Sequence, residues 1–382
     1  MNKKLKIIFF ADAAAEHSMR WAKFFADLGY EVHLLSWNIE GGSGSYRRRS
    51  EIIKQARPVI FHYIGPSGLK GNHNNLVRVF SILIKSYRLV RKINPDVIHS
   101  HSVGAYSWIT LLFSKYKIII TPWGTDVLID MEASRIHRFL SILTLNKSKL
   151  ITTDAIHMKK KLMEYDIESE KIKIINFGTD IKKFKKNEVA RKRIRDKYNI
   201  SDEDVIVIST RTLNPIHDVF TVLKAISIVN KINSKIKFII ASDGTERRAM
   251  ERFVSESGIS SITYFPGYMT IEEMVEFLSA SDIYVSSSIA DAGLAASTAE
   301  AMSIKLPVIV TDNADNRYWV DEVEAGLLFA NEDSQSLADN ILQLGNNEFL
   351  RKRFGDNGRL KIKKDCNYYL EMEKMHEIYK TM

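Results

Sequence analysis

Asp282-Ile-Tyr-Val-Ser286 is followed by a loop of small residues, Ser287 to Ala296, then by Ser297-Thr-Ala-Glu300-Ala-Met302 and Leu306-Pro-Val-Ile-Val-Thr311-Asp312. Short apolar runs rich in β-branched residues and bounded by turns read as buried strands. Two such runs with a helix-length segment between them read as a βαβ unit with parallel strands. In open parallel sheets, ligands lie beyond the carboxyl ends of the strands, and anions favour helix N-termini. The loop has little bulk, so its amides can approach a phosphate. Glu300, one turn into the helix, is placed to accept hydrogen bonds from sugar hydroxyls. This combination suggests a nucleotide-sugar site. A second reading makes Ser297 and Glu300 a capping box that satisfies only first-turn amides.

Working outward, the same pattern recurs. Strands are expected at Lys6–Phe10, Val32–Leu35, Val59–Tyr63, Val97–Ser100, Ile118–Thr121 and Leu150–Thr153. A second series runs Val205–Ser209, Phe238–Ala241, Thr263–Phe265, Ile283–Ser286 and Val308–Thr311. Helix-length segments separate them, so the fold class is α/β with two doubly wound, Rossmann-like parallel-sheet domains. The expected division is 1–180 and 181–365. The boundary follows Ile172–Asn176, where Phe177-Gly-Thr-Asp180 makes a turn and the Lys-rich segment 182–187 reads as linker. Residues 366–382 are expected to form a terminal helix packing back toward the N-terminal domain, with Tyr369, Met372, Met375, His376 and Tyr379 at helical spacing.

Composition narrows the function classes. The chain has 382 residues, 45% hydrophobic and 26% charged, with a net charge of +9. That length favours two domains. A single cysteine, Cys366, allows no disulfide within the chain and fits a reducing compartment. The N-terminal apolar run Ile7–Ala11 stops at Asp12, too short for a signal h-region or a bilayer span. A cytoplasmic protein is expected. Basic clusters at Arg47–Arg49 and Lys182–Lys186 come without any zinc spacing, Arg/Gly tract or aromatic-basic strand, so nucleic acid is not an expected partner.

At this point the chain resembles the glycosyltransferases of family 4, over nearly its whole length. The resemblance rests on the Ser286 to Thr311 block and on four further segments in the family's order. Thr121-Pro-Trp-Gly124-Thr-Asp126 is similar to Thr-x-His-Gly-x-Asp, and Asn176-Phe-Gly-Thr-Asp180 to an interdomain Asn-Gly-x-Asp. Ile239-Ile-Ala-Ser-Asp-Gly244 with Glu246 resembles Gly-x-Gly-x-Glu, and Tyr264-Phe-Pro-Gly267 resembles Phe-x-Gly. The resemblance implies the GT-B architecture, two Rossmann-like domains facing a cleft. It also implies sugar transfer from a nucleoside diphosphate, UDP or GDP, with retained configuration and neither metal nor cofactor. The expected setting is surface polysaccharide or glycoconjugate assembly on a glycan or lipid-linked acceptor.

On the donor side, Glu300 matches the second glutamate of the family's Glu-x7-Glu, which holds the ribose. The first falls at Ala292, and Asp291 stands one residue before it. The amides of Gly293, Leu294, Ala295 and Ala296 are expected to meet the diphosphate. Arg211 follows a strand and suits bidentate phosphate binding. Where the family adds a lysine, this chain has Ile216-His217, and His217 is a neutral donor at pH 7. Gly267 and Tyr268, with Tyr264 and Met269, fall in the base-binding loop.

On the acceptor side stand Asp12, His17 and Arg20, after a first strand whose turn lacks the glycines of a dinucleotide site. His101 matches the family's acceptor-side histidine, and Asp126 follows the next strand. The expected catalytic set is His101, Arg211 and Asp291. A metal reading of His99, His101 and Asp126 competes with this one and lacks a carboxylate cluster. Asp202-Glu-Asp204 reads as a turn.

The helix near Leu76–Ile93 sets Arg78, Lys85, Arg88 and Lys92 on one face, and Leu76, Val79, Phe80, Leu83, Tyr87 and Val90 on the other. One reading is peripheral contact with an anionic membrane; the other is a solvated face over a core stripe. Two further functions remain open: a sugar-nucleotide epimerase of the same architecture, and a non-catalytic sugar-nucleotide-binding subunit.

Overall fold

The computed structural model of the chain describes residues 4–13, 15–37, 57–65, 75–291 and 293–382. Contacts divide the chain into two units, Met1–Ile175 with Met372–Met382, and Asn176–Glu371. The first unit holds seven strands: β1 (Lys6–Phe10), β2 (Glu31–Ser36), β3 (Ile60–Tyr63), β4 (Val97–His101), β5 (Lys117–Thr121), β6 (Leu150–Thr153) and β7 (Ile172–Ile174). Their order is β3-β2-β1-β4-β5-β6-β7, and each recorded pair is parallel. The second unit holds β8 (Val205–Ser209), β9 (Ile236–Ile240), β10 (Thr263–Tyr264), β11 (Ile283–Ser286), β12 (Val308–Thr311) and β13 (Gly326–Phe329). Their order is β10-β9-β8-β11-β12-β13, again parallel.

Both sheets are doubly wound. In each, the chain works outward from a first strand and then crosses to that strand's other side. The crevices where the order reverses lie between β1 and β4, and between β8 and β11. These are the topological switch points, where open α/β sheets bind ligands.

Strand periodicity explains the core of the second unit. Ile206, Ile208, Ile239, Tyr284, Val308 and Val310 pack on one side of the sheet. Their neighbours Val207, Phe238, Ile240, Ile283, Val285 and Ile309 pack on the other. Successive side chains point to opposite faces, so continuous apolar runs are what a sheet covered on both sides requires.

Two strands escape the sequence reading. β7 is a half-exposed edge whose Ile-Lys-Ile is too short to stand out. β13 opens on Gly326, where an added Cβ would fall 1.8 Å from the Val308 carbonyl oxygen. Glycine there lets two backbones meet, although it weakens the strand signal.

The Asn176–Asp180 segment holds the start of the last helix, Tyr368–Thr381. Asn176 Nδ2 donates to the Asp365 carbonyl at 2.9 Å, and the Thr179 amide to that of Cys366 at 2.7 Å. Gly178 has φ of 71°, and a Cβ there would lie 2.4 Å from the Tyr368 Cα. Only glycine takes that conformation and approach without strain. Within the first unit, Tyr379 near the end of the same helix is fully buried and hydrogen-bonds His99 Nδ1.

The helix Asn75–Ile93 corrects one expectation. Its apolar stripe does not cover a core throughout: Leu76, Val79, Phe80 and Tyr87 are exposed, while Val90 is buried. Among the described residues no helix is long and apolar enough to cross a membrane.

Candidate functional site

In the second unit, the loops leaving β8 and β11 build one polar cluster at the switch point. Arg211 comes two residues after β8. Its Nη2 lies 2.7 Å from Asp291 Oδ1, 2.9 Å from His217 Nδ1 and 3.2 Å from Ser288 Oγ, and its Nη1 lies 3.3 Å from Ser297 Oγ. The sequence reading named Arg211, His217 and Asp291 separately, and the fold brings all three together. It missed Ser288 and read Ser297 only as a helix cap; both complete the ring around the guanidinium. The run Ser286-Ser-Ser288 at a strand's carboxyl end was the available signal.

Two backbone features hold this cluster. The short turn Pro215–His217 is tied to the β11 loop by Ile289 N to Ile216 O at 3.0 Å and by Ser287 Oγ to His217 O at 2.9 Å. From the other side, Thr311 Oγ1 and Asn313 Nδ2 donate to the Ser288 carbonyl at 2.6 and 2.7 Å. The loop is therefore fixed by hydrogen bonds, as a preorganised site requires.

His217 differs from a lysine in a definite way. A guanidinium only donates, so His217 Nδ1 accepts and the ring proton resides on Nε2. Burial, reinforced by the Arg211 charge, holds its pKa down at about 4. The imidazole is a neutral donor at physiological pH.

The helix Ala296–Ser303 starts after Ala295, and no side chain caps it. Ser297 is therefore inside the helix. Its Oγ receives hydrogen bonds from Tyr284 Oη at 2.8 Å and from Arg211. Ser297 therefore cannot serve as the N-cap of a capping box with Glu300, and no side-chain hydrogen bond to the first-turn amides is recorded among the described residues. Such amides bind anions. Gly293 is buried, Leu294 packs on the core, and Ala296 is exposed. Ala292 lies outside the described residues.

Gly267 and Tyr268 stand apart from the arginine cluster. They follow β10, the edge strand two places from β8. Gly267 has φ of 89°, and Tyr268 is exposed. Tyr264 is half-buried, packs against the core and meets Tyr198 edge-on at 5.1 Å. At the Gly-x-Glu turn, a Cβ on Gly244 would fall 2.3 Å from the Leu213 carbonyl oxygen, so glycine lets this turn rest on the β8 loop. Asp204 accepts from the Ser201 amide at 3.0 Å, which places Asp202–Asp204 in a turn.

In the first unit, the other switch point gathers aromatic and imidazole rings. His101 ends β4. Its Nδ1 is 3.1 Å from Ser18 Oγ, its ring meets Trp21 edge-on at 5.0 Å, and its buried Nε2 has no hydrogen-bond partner among the described residues. His17 packs on Trp123 at 5.6 Å. Burial, with charge from His17, lowers the His101 pKa to about 3, and burial with Arg20 lowers that of His17 to about 4. Asp12 and Arg20 flank the same helix start and are partly buried.

Asp126 departs from expectation. Its buried carboxylate accepts amide hydrogen bonds from Val103, Trp123, Gly124 and Val127 at 2.7–3.1 Å. Burial pushes its pKa up, and these amides pull it back. The group orders two loops and has no capacity left for an acceptor. His99 is engaged as well, with Nδ1 on Tyr379 and Nε2 on Thr121 at 2.6 Å. His99, His101 and Asp126 thus face different partners and do not converge.

Two doubly wound units, each with a polar switch point, make up the GT-B architecture. The family pattern described as glycosyl transferases group 1 matches residues 190–361, and that described as glycosyl transferase 4-like matches residues 6–155. Each half of the chain thus matches a glycosyltransferase pattern, and the chain resembles the group 1, family 4-like glycosyltransferases. It is 26% identical, over 81% of its length and 86% of the relative's, to an uncharacterized glycosyltransferase of Methanocaldococcus jannaschii. It is 22% identical to the N-acetyl-alpha-D-glucosaminyl L-malate synthase of Bacillus anthracis, over 88% and 85% of the two chains. Among solved structures, the Anabaena protein HepE in complex with UDP superposes with a TM-score of 0.83 at 15% identity, covering 99% of this chain and all of that one. At that identity the likeness shows the fold alone.

Proposed function

We propose that the protein transfers a sugar, with retention of configuration and without a metal, from a nucleoside-diphosphate sugar to a glycan or lipid-linked acceptor. The observation that carries this reading is the Arg211 guanidinium, ringed by Ser288, Asp291 and His217, beside a helix start that no side chain caps. Both features attract a diphosphate. HepE is described with UDP, which favours a uridine donor.

In this reading the bond between the anomeric carbon and the phosphate oxygen breaks as the acceptor oxygen attacks from the same side. The acceptor proton passes to the departing phosphate. Arg211, His217 Nε2–H and the amides of 293–296 stabilise the charge that develops on the diphosphate. Glu300 binds the ribose, and Asp291 is the carboxylate nearest the transferred sugar. His101, with its unpartnered Nε2, orients the acceptor hydroxyl. The setting is surface-glycan assembly in the cytoplasm.

Thermal stabilisation by a panel of nucleoside diphosphates and their sugars tests this. A ligand at a hundred times its dissociation constant adds about 2.7 kcal/mol of apparent stability. A shift with UDP or GDP that is lost in Glu300→Ala supports the donor site; no shift with any nucleotide overturns it. Product analysis with donor alone then separates transfer from epimerisation.

A further inference from the structure

We infer that one face of the first unit docks on an anionic lipid surface and presents the acceptor half of the site to a membrane-embedded acceptor. The acceptor clause rests on the glycosyltransfer reading; the lipid contact does not.

The face is built by three consecutive crossovers. The helix Asn75–Ile93 joins β3 to β4, Ala105–Phe113 joins β4 to β5, and the helix Arg135–Lys147 lies between β5 and β6. Right-handed crossovers put these connections on the same side of the sheet. Contacts agree: Tyr87 stacks on Phe113 at 6.3 Å, and Trp108 meets His137 at 4.8 Å.

Large apolar side chains project outward along this side. Leu76 is 72% exposed, Phe80 61%, Ile136 75% and Phe139 66%, with Val77 and Leu112 also open. Leu112 apart, they lie in the first two turns of their helices. A helix that returns the chain between parallel strands runs antiparallel to them, so its first turns lie at the carboxyl edge of the sheet. His101 ends β4 at that same edge. Exposed apolar residues at this density mark an interaction surface.

Charge selects the occupant. Asn75–Ile93 carries five cations, Arg78, Lys85, Arg88, Arg91 and Lys92, and no acid. Arg135–Lys147 likewise has no acid. Glu132 neutralises Arg138, but Arg78, Arg88, Arg91, Lys92 and Arg135 have no acidic partner among the described residues. Arg78 and Arg135 stand among the apolar residues of the first turns, and Arg88, Arg91 and Lys92 extend the positive charge toward the other end of the longer helix; this suits an interface of acyl chains and anionic headgroups. The contact is peripheral: the face lies on the headgroups and does not span the bilayer.

The test is vesicle flotation of the full chain, with phosphatidylcholine alone and with about one third phosphatidylglycerol. Binding to the anionic vesicles, at least about tenfold stronger than to the neutral ones and weakened by salt, is expected. The double variant Phe80→Ser/Phe139→Ser should lose about tenfold in partitioning, and Arg88→Gln/Arg91→Gln should lose the anionic preference. Both variants replace exposed groups, and an unchanged melting midpoint and nucleotide-induced shift will show that they fold and keep the donor site. Equal flotation with both vesicle types, no flotation, or undiminished flotation of the variants overturns the inference. So does concentration-dependent dimerisation that the Phe80→Ser/Phe139→Ser variant abolishes, because the occupant is then a second copy. A failed nucleotide shift with intact flotation instead strikes the glycosyltransfer reading.

Discussion

Asp291 Oδ1 lies 2.7 Å from Arg211 Nη2, and the two side chains are 12% and 11% exposed. In the proposed glycosyl transfer, a diphosphate arriving at Arg211 competes with this carboxylate. Removing the arginine would strand a buried charge and cost a few kcal/mol of stability, so Asp291→Asn is the cleaner probe. It should tighten nucleoside-diphosphate binding about three- to tenfold, because the ligand no longer displaces an anion from the guanidinium. Turnover of the donor sugar should fall about tenfold or more as the carboxylate beside the sugar is lost. Calorimetric titration and initial rates read the two effects separately. Weaker nucleotide binding would mean that Asp291 positions the arginine and does not compete for it.

Glu300→Ala separates ligand binding from helix capping. The helix opens at Ala296 after Ala295, with no side-chain cap, so Glu300 does not serve a capping box with Ser297. The stability change serves as the control, since loss of a true cap costs about 1 kcal/mol. The donor KM should rise about tenfold, as expected for a lost charge-assisted hydrogen bond. Urea titration and steady-state kinetics check both. A stability loss of cap size with unchanged KM would restore the structural role.

How far the sequence was legible depends on what each residue type reveals alone. Buried strands such as Lys6–Phe10 and Ile283–Ser286 announce themselves, because a sheet covered on both faces needs unbroken apolar runs. β13 stayed hidden because Gly326 serves a close backbone approach that no propensity records. Arg211 and Asp291 were legible as charged residues after strands, but 80 residues apart in sequence their ion pair was not. Asp126 was misread because a carboxylate satisfied by amides and one awaiting a ligand look alike in a sequence. The helix Asn75–Ile93 was read as amphipathic on spacing, but spacing does not say which stripe meets protein.

Asp126 should behave as a structural residue. Its carboxylate satisfies the amides of Val103, Trp123, Gly124 and Val127. Truncation in Asp126→Ala removes the acceptor of the buried Val103 and Gly124 amides, at about 1–3 kcal/mol each where water does not enter, while the Val127 amide keeps its bond to the Gly124 carbonyl at 3.0 Å. A loss of about 3 kcal/mol or more is expected, with the acceptor KM of the remaining folded enzyme unchanged. A variant of native stability with a raised acceptor KM would return Asp126 to the acceptor site.

Acid should destabilise the first unit through His101. Its imidazole is buried beside Trp21 and Phe9, and its pKa falls from 6.5 to about 3. The folded state therefore resists protonation while the unfolded chain accepts it. The contribution to stability is complete above about pH 6.5 and is lost as pH falls toward 3, with a slope of about 1.4 kcal/mol per pH unit. His101→Gln removes the titrating group. It should lose stability at pH 7 with the Ser18 contact, yet lose less than wild type between pH 6 and 4. Melting midpoints across that range decide, and parallel acid curves would mean that His101 titrates alike in both states. The same depression keeps His101 and His217 neutral from pH 6 to 8, so neither imidazole should impose a pH dependence on transfer in that interval.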